Sequence, residues 1–187
     1  MILGITGTDG AGKGTVVEYL VQEKGFTHYE ARALFVEEIN RQGLPVDRAN
    51  MRIVANELRA RHGDSFLVDT YLRRAQEEGR KDFIIESIRA AAEAAALKAA
   101  GGILLSVDAD QKLRYERIQS RASESDRVSF EEFVAHEELE MNDPDPHGMQ
   151  KAAVIAAADY TVLNNGSLEE LHAQIDAVLT RVMDERR

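Results

Sequence analysis

The stretch Gly7-Thr8-Asp9-Gly10-Ala11-Gly12-Lys13-Gly14-Thr15 has the residue types and spacing needed to grip phosphate. Gly10, Gly12 and Gly14 lack Cβ atoms, so the main chain is expected to take positive φ there and approach a ligand closely. The successive amides of Asp9, Gly10, Ala11, Gly12, Lys13, Gly14 and Thr15 then converge on one concavity and donate to phosphate oxygens. Lys13 adds a full positive charge for β- and γ-phosphates, and Thr15 is the nearest hydroxyl to a bound Mg²⁺. The usual pattern has Ser or Thr directly after the lysine. Here Gly14 stands there and the hydroxyl comes one residue later.

Other residues fit chemistry around that loop. Asp82-Phe83-Ile84-Ile85-Glu86-Ser87-Ile88-Arg89 reads as a buried strand ending in a carboxylate. Ligands of doubly wound sheets bind at the carboxyl ends of strands, so Glu86 is a candidate to hold Mg²⁺ through water. The competing reading is a helix-start residue. Arg89 is placed for an acceptor phosphate, or else lies on the surface. Glu30 and Arg32 after the second strand, and Asp9 inside the loop, are candidates for the acceptor side. Arg114, Arg117 and Arg121 recur at helical spacing on one face, and Arg127 follows in a polar stretch. Cations that close over a transferred phosphoryl group stabilise its charge. The bland alternative is a solvated face paired with Glu116 and Glu124. Residues 41–63 read as two short helices carrying Arg41, Arg48, Arg52, Arg59 and Arg61, suited to an anionic acceptor. In Asn164-Asn165-Gly166-Ser167, Ser167 reads as an N-cap with Glu170 completing a capping box. Asn165 is a candidate adenine contact. His28, His62, His136, His147 and His172 show no metal-ligand spacing.

The elements that must position these residues alternate between strand and helix, which predicts a parallel sheet covered on both faces. Strands are expected at 2–6, 26–30, 82–86, 102–107 and 159–163. The 187 residues suit one domain with a real core, and hydrophobic residues make up an ordinary 44%. With no cysteine, disulfides and thiolate metal sites are excluded. The net charge of −10 disfavours a nucleic-acid partner. No apolar run reaches membrane-span length, and no basic leader precedes the first strand, so a cytoplasmic location is expected. Residues 42–45 break a helix pair, and 142–148, with two of the three prolines, reads as an exposed connection.

On these residues the chain resembles the P-loop nucleotide kinases. It is most similar to the dephospho-CoA kinase and nucleoside monophosphate kinase branch, and within it to a mainly archaeal group of adenylate-kinase-like or dephospho-CoA-kinase-like proteins. The Gly-Lys-Gly-Thr ending resembles kinases of the adenylate kinase type. Asp9-Gly10-Ala11-Gly12-Lys13 resembles thymidylate kinases, whose loop carboxylate contacts the acceptor sugar. Residues 158–171 resemble the C-terminal end of dephospho-CoA kinases. Two places depart from these patterns. Glu86-Ser87-Ile88-Arg89 replaces the Asp-Gly-Phe-Pro-Arg of adenylate kinases, and Glu30 stands near where dephospho-CoA kinases carry an aspartate.

The resemblance implies one α/β domain over 1–187, a three-layer α/β/α P-loop NTPase fold whose five parallel strands run in the order 2-3-1-4-5. Acceptor-binding helices are expected over about 31–63 and a lid-like segment over about 114–127. It implies ATP and Mg²⁺ as cofactors, and γ-phosphoryl transfer to a (deoxy)nucleoside monophosphate or dephospho-CoA, by a monomer or homodimer. Lys13 and the loop amides would hold the donor, with Arg117 and Asn165 contributing. Thr15 and Glu86 would organise Mg²⁺, Arg117 and Arg121 would close over the transferred group, and Asp9 or Glu30 would orient the acceptor. The alternative function is a nucleotide-binding regulatory ATPase with no small-molecule acceptor.

Overall fold

The computed structural model describes residues 1–120 and 128–186. Arg121, Arg127 and the side chain of Arg48 lie outside the described residues. Strands β1 (Ile2–Gly7), β2 (Thr27–Tyr29), β3 (Phe83–Glu86), β4 (Ile103–Asp108) and β5 (Tyr160–Leu163) form one sheet in the order β2-β3-β1-β4-β5. Every pairing is parallel. The central strands read as near-continuous apolar runs because both of their faces are covered. Leu3, Ile5, Leu105 and Val107 pack against helices α1 (Lys13–Lys24) and α9 (Leu168–Glu185). The opposite face packs against α2 (Ala31–Arg41), α3 (Arg48–His62), α4 (Phe66–Glu77) and α5 (Ala91–Ala99). After β3 the chain crosses to the far side of β1, so the sheet order reverses beside β1, where such folds bind ligands.

α6 (Gln111–Ser120), α7 (Phe130–Met141) and α8 (Lys151–Ala156) complete the described helices. Ser167 caps α9 as expected: its hydroxyl accepts from the Glu170 amide at 3.2 Å, and the Glu170 carboxylate accepts from the Ser167 amide at 2.9 Å. Among the described residues no helix is long and apolar enough to cross a membrane.

Two expectations need correction. Residues 41–63 do not form two short helices. The chain turns through Gly43 and Pro45, Asp47 then caps Asn50 at 2.8 Å, and one helix runs on through His62. Residues 142–148 are not a merely exposed connection. Asp143 is buried and accepts from Arg52 at 2.9 and 3.2 Å, Asp145 accepts from Asn56 at 3.0 Å, and His147 lies 2.8 Å from Asp64. The prolines therefore shape a loop whose acids grip α3.

A buried ion pair ties the same helix to α5. Arg59 and Glu93 meet at 3.0 Å, with side-chain exposures of 4% and 0%. Glu93 also accepts from the amides of Arg89 and Ala90 at 2.8 and 3.0 Å, satisfying donors at the helix start that would otherwise be orphaned. Removing one partner leaves a buried charge without compensation. Arg59→Met should therefore cost about 3–5 kcal/mol of stability. Arg74→Met, which breaks a pair with Glu78 whose side chains are 58% and 34% exposed, should cost clearly less. Urea denaturation checks this, and equal losses for the two variants would contradict it.

Candidate functional site

The loop between β1 and α1 is shaped by what happens to its carbonyls. Asn164, at the end of β5, donates from Nδ2 to the Ala11 carbonyl at 2.8 Å. Arg114 of α6 donates from Nη1 to the Asp9 carbonyl at 3.2 Å. Lys13 Nζ donates to the carbonyls of Gly7 and Thr8 at 3.2 and 2.8 Å. Thr8 itself donates to Asp108 Oδ1, at the end of β4, at 2.6 Å. The loop is thus held by the ends of three elements that follow it in the chain. Gly12 is required twice over: its φ is 95°, and a Cβ there would collide with the Asn164 amide. Gly10 also has positive φ, at 80°. Gly14 does not. It sits in the first turn of α1 facing open space, so its missing side chain leaves room rather than conformational freedom.

Charge converges on Asp9. Its Oδ1 lies 3.1 Å from Lys151 Nζ and 3.6 Å from Lys13 Nζ. Lys151, the first residue of α8, also pairs with Glu140 of α7. Burial alone would raise the Asp9 carboxyl, but Lys151, then Lys13 and Arg89, outweigh it and hold the group well below the usual carboxylate range. Burial lowers Lys13 from the usual 10.5 to about 8, against the attraction of Asp9.

At the end of β3, Glu86 Oε2 shares a 2.9 Å hydrogen bond with His28 Nε2 of β2. That contact holds the Glu86 carboxyl below the usual range, despite burial. Ser87 follows with φ 65°, the one positive-φ residue besides glycine among the described residues. Such strain persists only where neighbours enforce it. Here the Ile88 amide donates to the Ile5 carbonyl at 3.1 Å and Thr6 Oγ1 donates to the Ile88 carbonyl at 2.8 Å. The kink turns Glu86 and Arg89 toward one cavity of about 1260 Å³.

That cavity brings together most of the sequence candidates. Asp9, Gly10, Gly12, Lys13, Gly14, Glu86 and Arg89 line it, facing Glu30, Arg32, Arg52 and Arg59. Arg52 and Arg59 are already engaged by Asp143 and Glu93. Arg89 has only a 3.5 Å contact from Nη1 to Met149 Sδ, and so faces the cavity without a carboxylate partner among the described residues. Arg41 pairs with Glu38 on the surface, and Arg61 lies 3.9 Å from the same carboxylate. Thr15 lies half-buried in the first turn of α1.

The arginines of α6 separate in role. Arg114 is buried, tied to Ala109, Asp9 and Glu137, and anchors the loop rather than closing over it. Arg117 donates from Nη2 to the Asn164 carbonyl at 2.9 Å, while its Nη1 is buried with no hydrogen-bond partner among the described residues. Asn165 is committed to Asp110 at 2.8 and 3.0 Å, so Asn164, not Asn165, reaches the phosphate loop. Lys151, Glu140, His28 and Asn164 were missed from sequence. The one available signal was the lone lysine opening the apolar run Lys151-Ala152-Ala153-Val154-Ile155. Among the described residues no cluster of His, Asp and Glu is arranged to hold a metal ion by itself.

The Lys13 environment has a titration signature. A lysine whose pKa falls on folding opposes the fold while charged, so Lys13 opposes it fully below about pH 8 and less as pH rises toward 10.5. Carbon NMR of the lysine ε-methylenes should show one lysine titrating near pH 8, lost in Lys13→Met. Titration of every lysine above pH 10 would contradict the buried geometry.

A family model described as an AAA domain matches residues 6–134, from the phosphate loop into α7. A UPF0200 protein from Hyperthermus butylicus is 27% identical over 183 residues, covering 97% of this chain and 95% of its own. Among solved structures, TT1252 from Thermus thermophilus superposes with a TM-score of 0.59 at 24% identity, covering 97% of each chain. Dephospho-CoA kinase from Campylobacter jejuni superposes with a TM-score of 0.57 at 15% identity, covering all of this chain and 98% of its own. These structures share the fold, and with the family match running over well more than half of its length, the chain belongs to the AAA-domain family.

Proposed function

We propose that this protein transfers the γ-phosphoryl group of ATP to a nucleotide-like small molecule, a (deoxy)nucleoside monophosphate or dephospho-CoA. The observation that carries the reading is the single cavity shared by the phosphate loop and the residues of β3, α2 and α3 opposite it. A donor on the loop and an acceptor against Arg89 would meet inside one enclosure. Phosphoryl transfer asks mainly for such positioning and for charge stabilisation.

Each residue then has a physical task. The loop amides and Lys13 hold the donor phosphates. Lys13 must leave the carbonyls of Gly7 and Thr8 to do so. Glu86, kept ionised beside His28, and the Thr15 hydroxyl are hard oxygen donors of the kind Mg²⁺ takes, directly or through water. Bound Mg²⁺ would neutralise charge on the phosphates. The unpartnered Nη1 of Arg117 has a hydrogen bond to give to a nucleotide, and Arg121 remains a candidate for closing over the transferred group. Asp9 or Glu30 orients the acceptor, and Arg89 meets its anionic group.

The test is a screen of ATP-Mg²⁺ against all (deoxy)nucleoside monophosphates and dephospho-CoA, read by formation of the phosphorylated acceptor. One class should turn over, and Lys13→Ala should lower that turnover by at least about 100-fold, roughly 2.7 kcal/mol of lost stabilisation, while remaining folded. ATP hydrolysis that no acceptor changes would support a regulatory ATPase instead.

Glu86→Gln keeps the shape but loses the charge. It should raise the Mg²⁺ concentration needed for half-maximal rate by at least about fivefold, with a smaller change in ATP affinity. An unchanged magnesium curve would leave Glu86 as a strand-end residue paired with His28.

A further inference from the structure

We propose that Lys151 is the counter-ion that makes a carboxylate tolerable inside the phosphate loop: it neutralises Asp9, so that Lys13 is free to leave Asp9 for the nucleotide phosphates. The inference rests on the reading that this loop holds a nucleotide. An acid in the middle of an anion-binding loop has two costs. It repels the phosphates directly, and it competes with them for the loop lysine.

The geometry answers both. Lys151 Nζ lies closer to Asp9 Oδ1, at 3.1 Å, than Lys13 Nζ does, at 3.6 Å. The Lys151 side chain is 3% exposed, so its charge has to be matched by acids at hand. It is matched by Asp9 and Glu140, whose side chains also hydrogen-bond to each other. The remaining cations facing Asp9 serve it less well. Arg114 reaches the Asp9 carbonyl rather than its carboxylate and is paired with Glu137. Arg89 acts on Asp9 from the exit of β3 and makes its side-chain contact with Met149. Glu86 adds negative charge near Lys13. Lys151 is therefore a positioning residue: it need not touch the nucleotide to set where Lys13 can go. It is delivered by the clamped loop before it, whose last residue, Gln150, donates its amide to the Arg89 carbonyl at 2.8 Å.

A purely structural lysine would instead tether α8 to α7 through Glu140. A rescue experiment separates the two roles, with Mg²⁺-ADP as the probe and calorimetric affinity as the readout. Lys151→Met is made in a Glu140→Gln background, which removes both buried charges of that tether together. Relative to Glu140→Gln alone, ADP binding should weaken by at least about tenfold, or 1.4 kcal/mol. Adding Asp9→Asn should return it to within about threefold, and Lys151→Arg alone should stay within that range. Unchanged binding in the Met variant, or a loss that Asp9→Asn does not restore, overturns the proposal. If the Met variant fails to fold and Asp9→Asn restores folding, the unneutralised Asp9 is the cause and the proposal stands. If both fail to fold, Lys151 is needed independently of Asp9 and the proposal falls. Wild-type protein that does not bind ADP would instead sink the nucleotide reading itself.

Discussion

The site depends on carbonyls being drawn away from one small loop. A cradle of amides binds phosphate only if the carbonyl dipoles between them point elsewhere. In this protein Asn164 takes the carbonyl of Ala11 and Arg114 that of Asp9, while Lys13 holds those of Gly7 and Thr8 until a phosphate draws it away. Two of these three side chains come from the ends of later elements, on the other side of β1. The loop is therefore a property of the assembled sheet as well as of its own glycines. The parallel order that seats β4 and β5 beside β1 puts Asp108 and Asn164 within reach of the loop.

The same convergence reconciles an acidic protein with the proposed anion-binding site. The net charge is −10, yet local pairing decides the field in the cavity. Arg52 and Arg59 look like acceptor ligands in the sequence, but Asp143 and Glu93 neutralise them and use them to fix α3. Arg89 lines the cavity with no carboxylate partner among the described residues. Lys13 and Arg89 line the same cavity and lie close enough for their charges to interact, which favours an anion between them. Ser87, with φ 65°, is the bend between Glu86 at the end of β3 and Arg89.

The sequence was most legible where physics is local. Five apolar runs bounded by turn residues became five strands, each within a residue or two of the expected limits. The glycine and lysine spacing of the phosphate loop is a local signal, and the Ser167 capping box follows from contacts three residues apart. Lys151 and Asp9 are 142 positions apart, and His28 and Glu86 are 58 apart. No periodicity encodes such pairs, because they arise only once the sheet is assembled. The same reason hid the role of residues 142–148. Prolines announce a turn, but nothing in the turn announces that its acids grip Arg52 and Asn56. Gly14 misled in the opposite sense: a glycine in a glycine-rich loop reads as a conformational need, yet it lies in a regular helix turn.

The central claim is that donor and acceptor share one enclosure, so that the γ-phosphoryl group passes between bound molecules and not to water. Phosphorus NMR of the protein turning over ATP-Mg²⁺ in a mixture of nucleoside monophosphates and dephospho-CoA tests this most directly, because it follows where the γ-phosphorus goes. The account predicts that the signal moves into an organic phosphate, with little inorganic phosphate formed. Accumulation of inorganic phosphate alone, at a rate indifferent to the mixture, would contradict it.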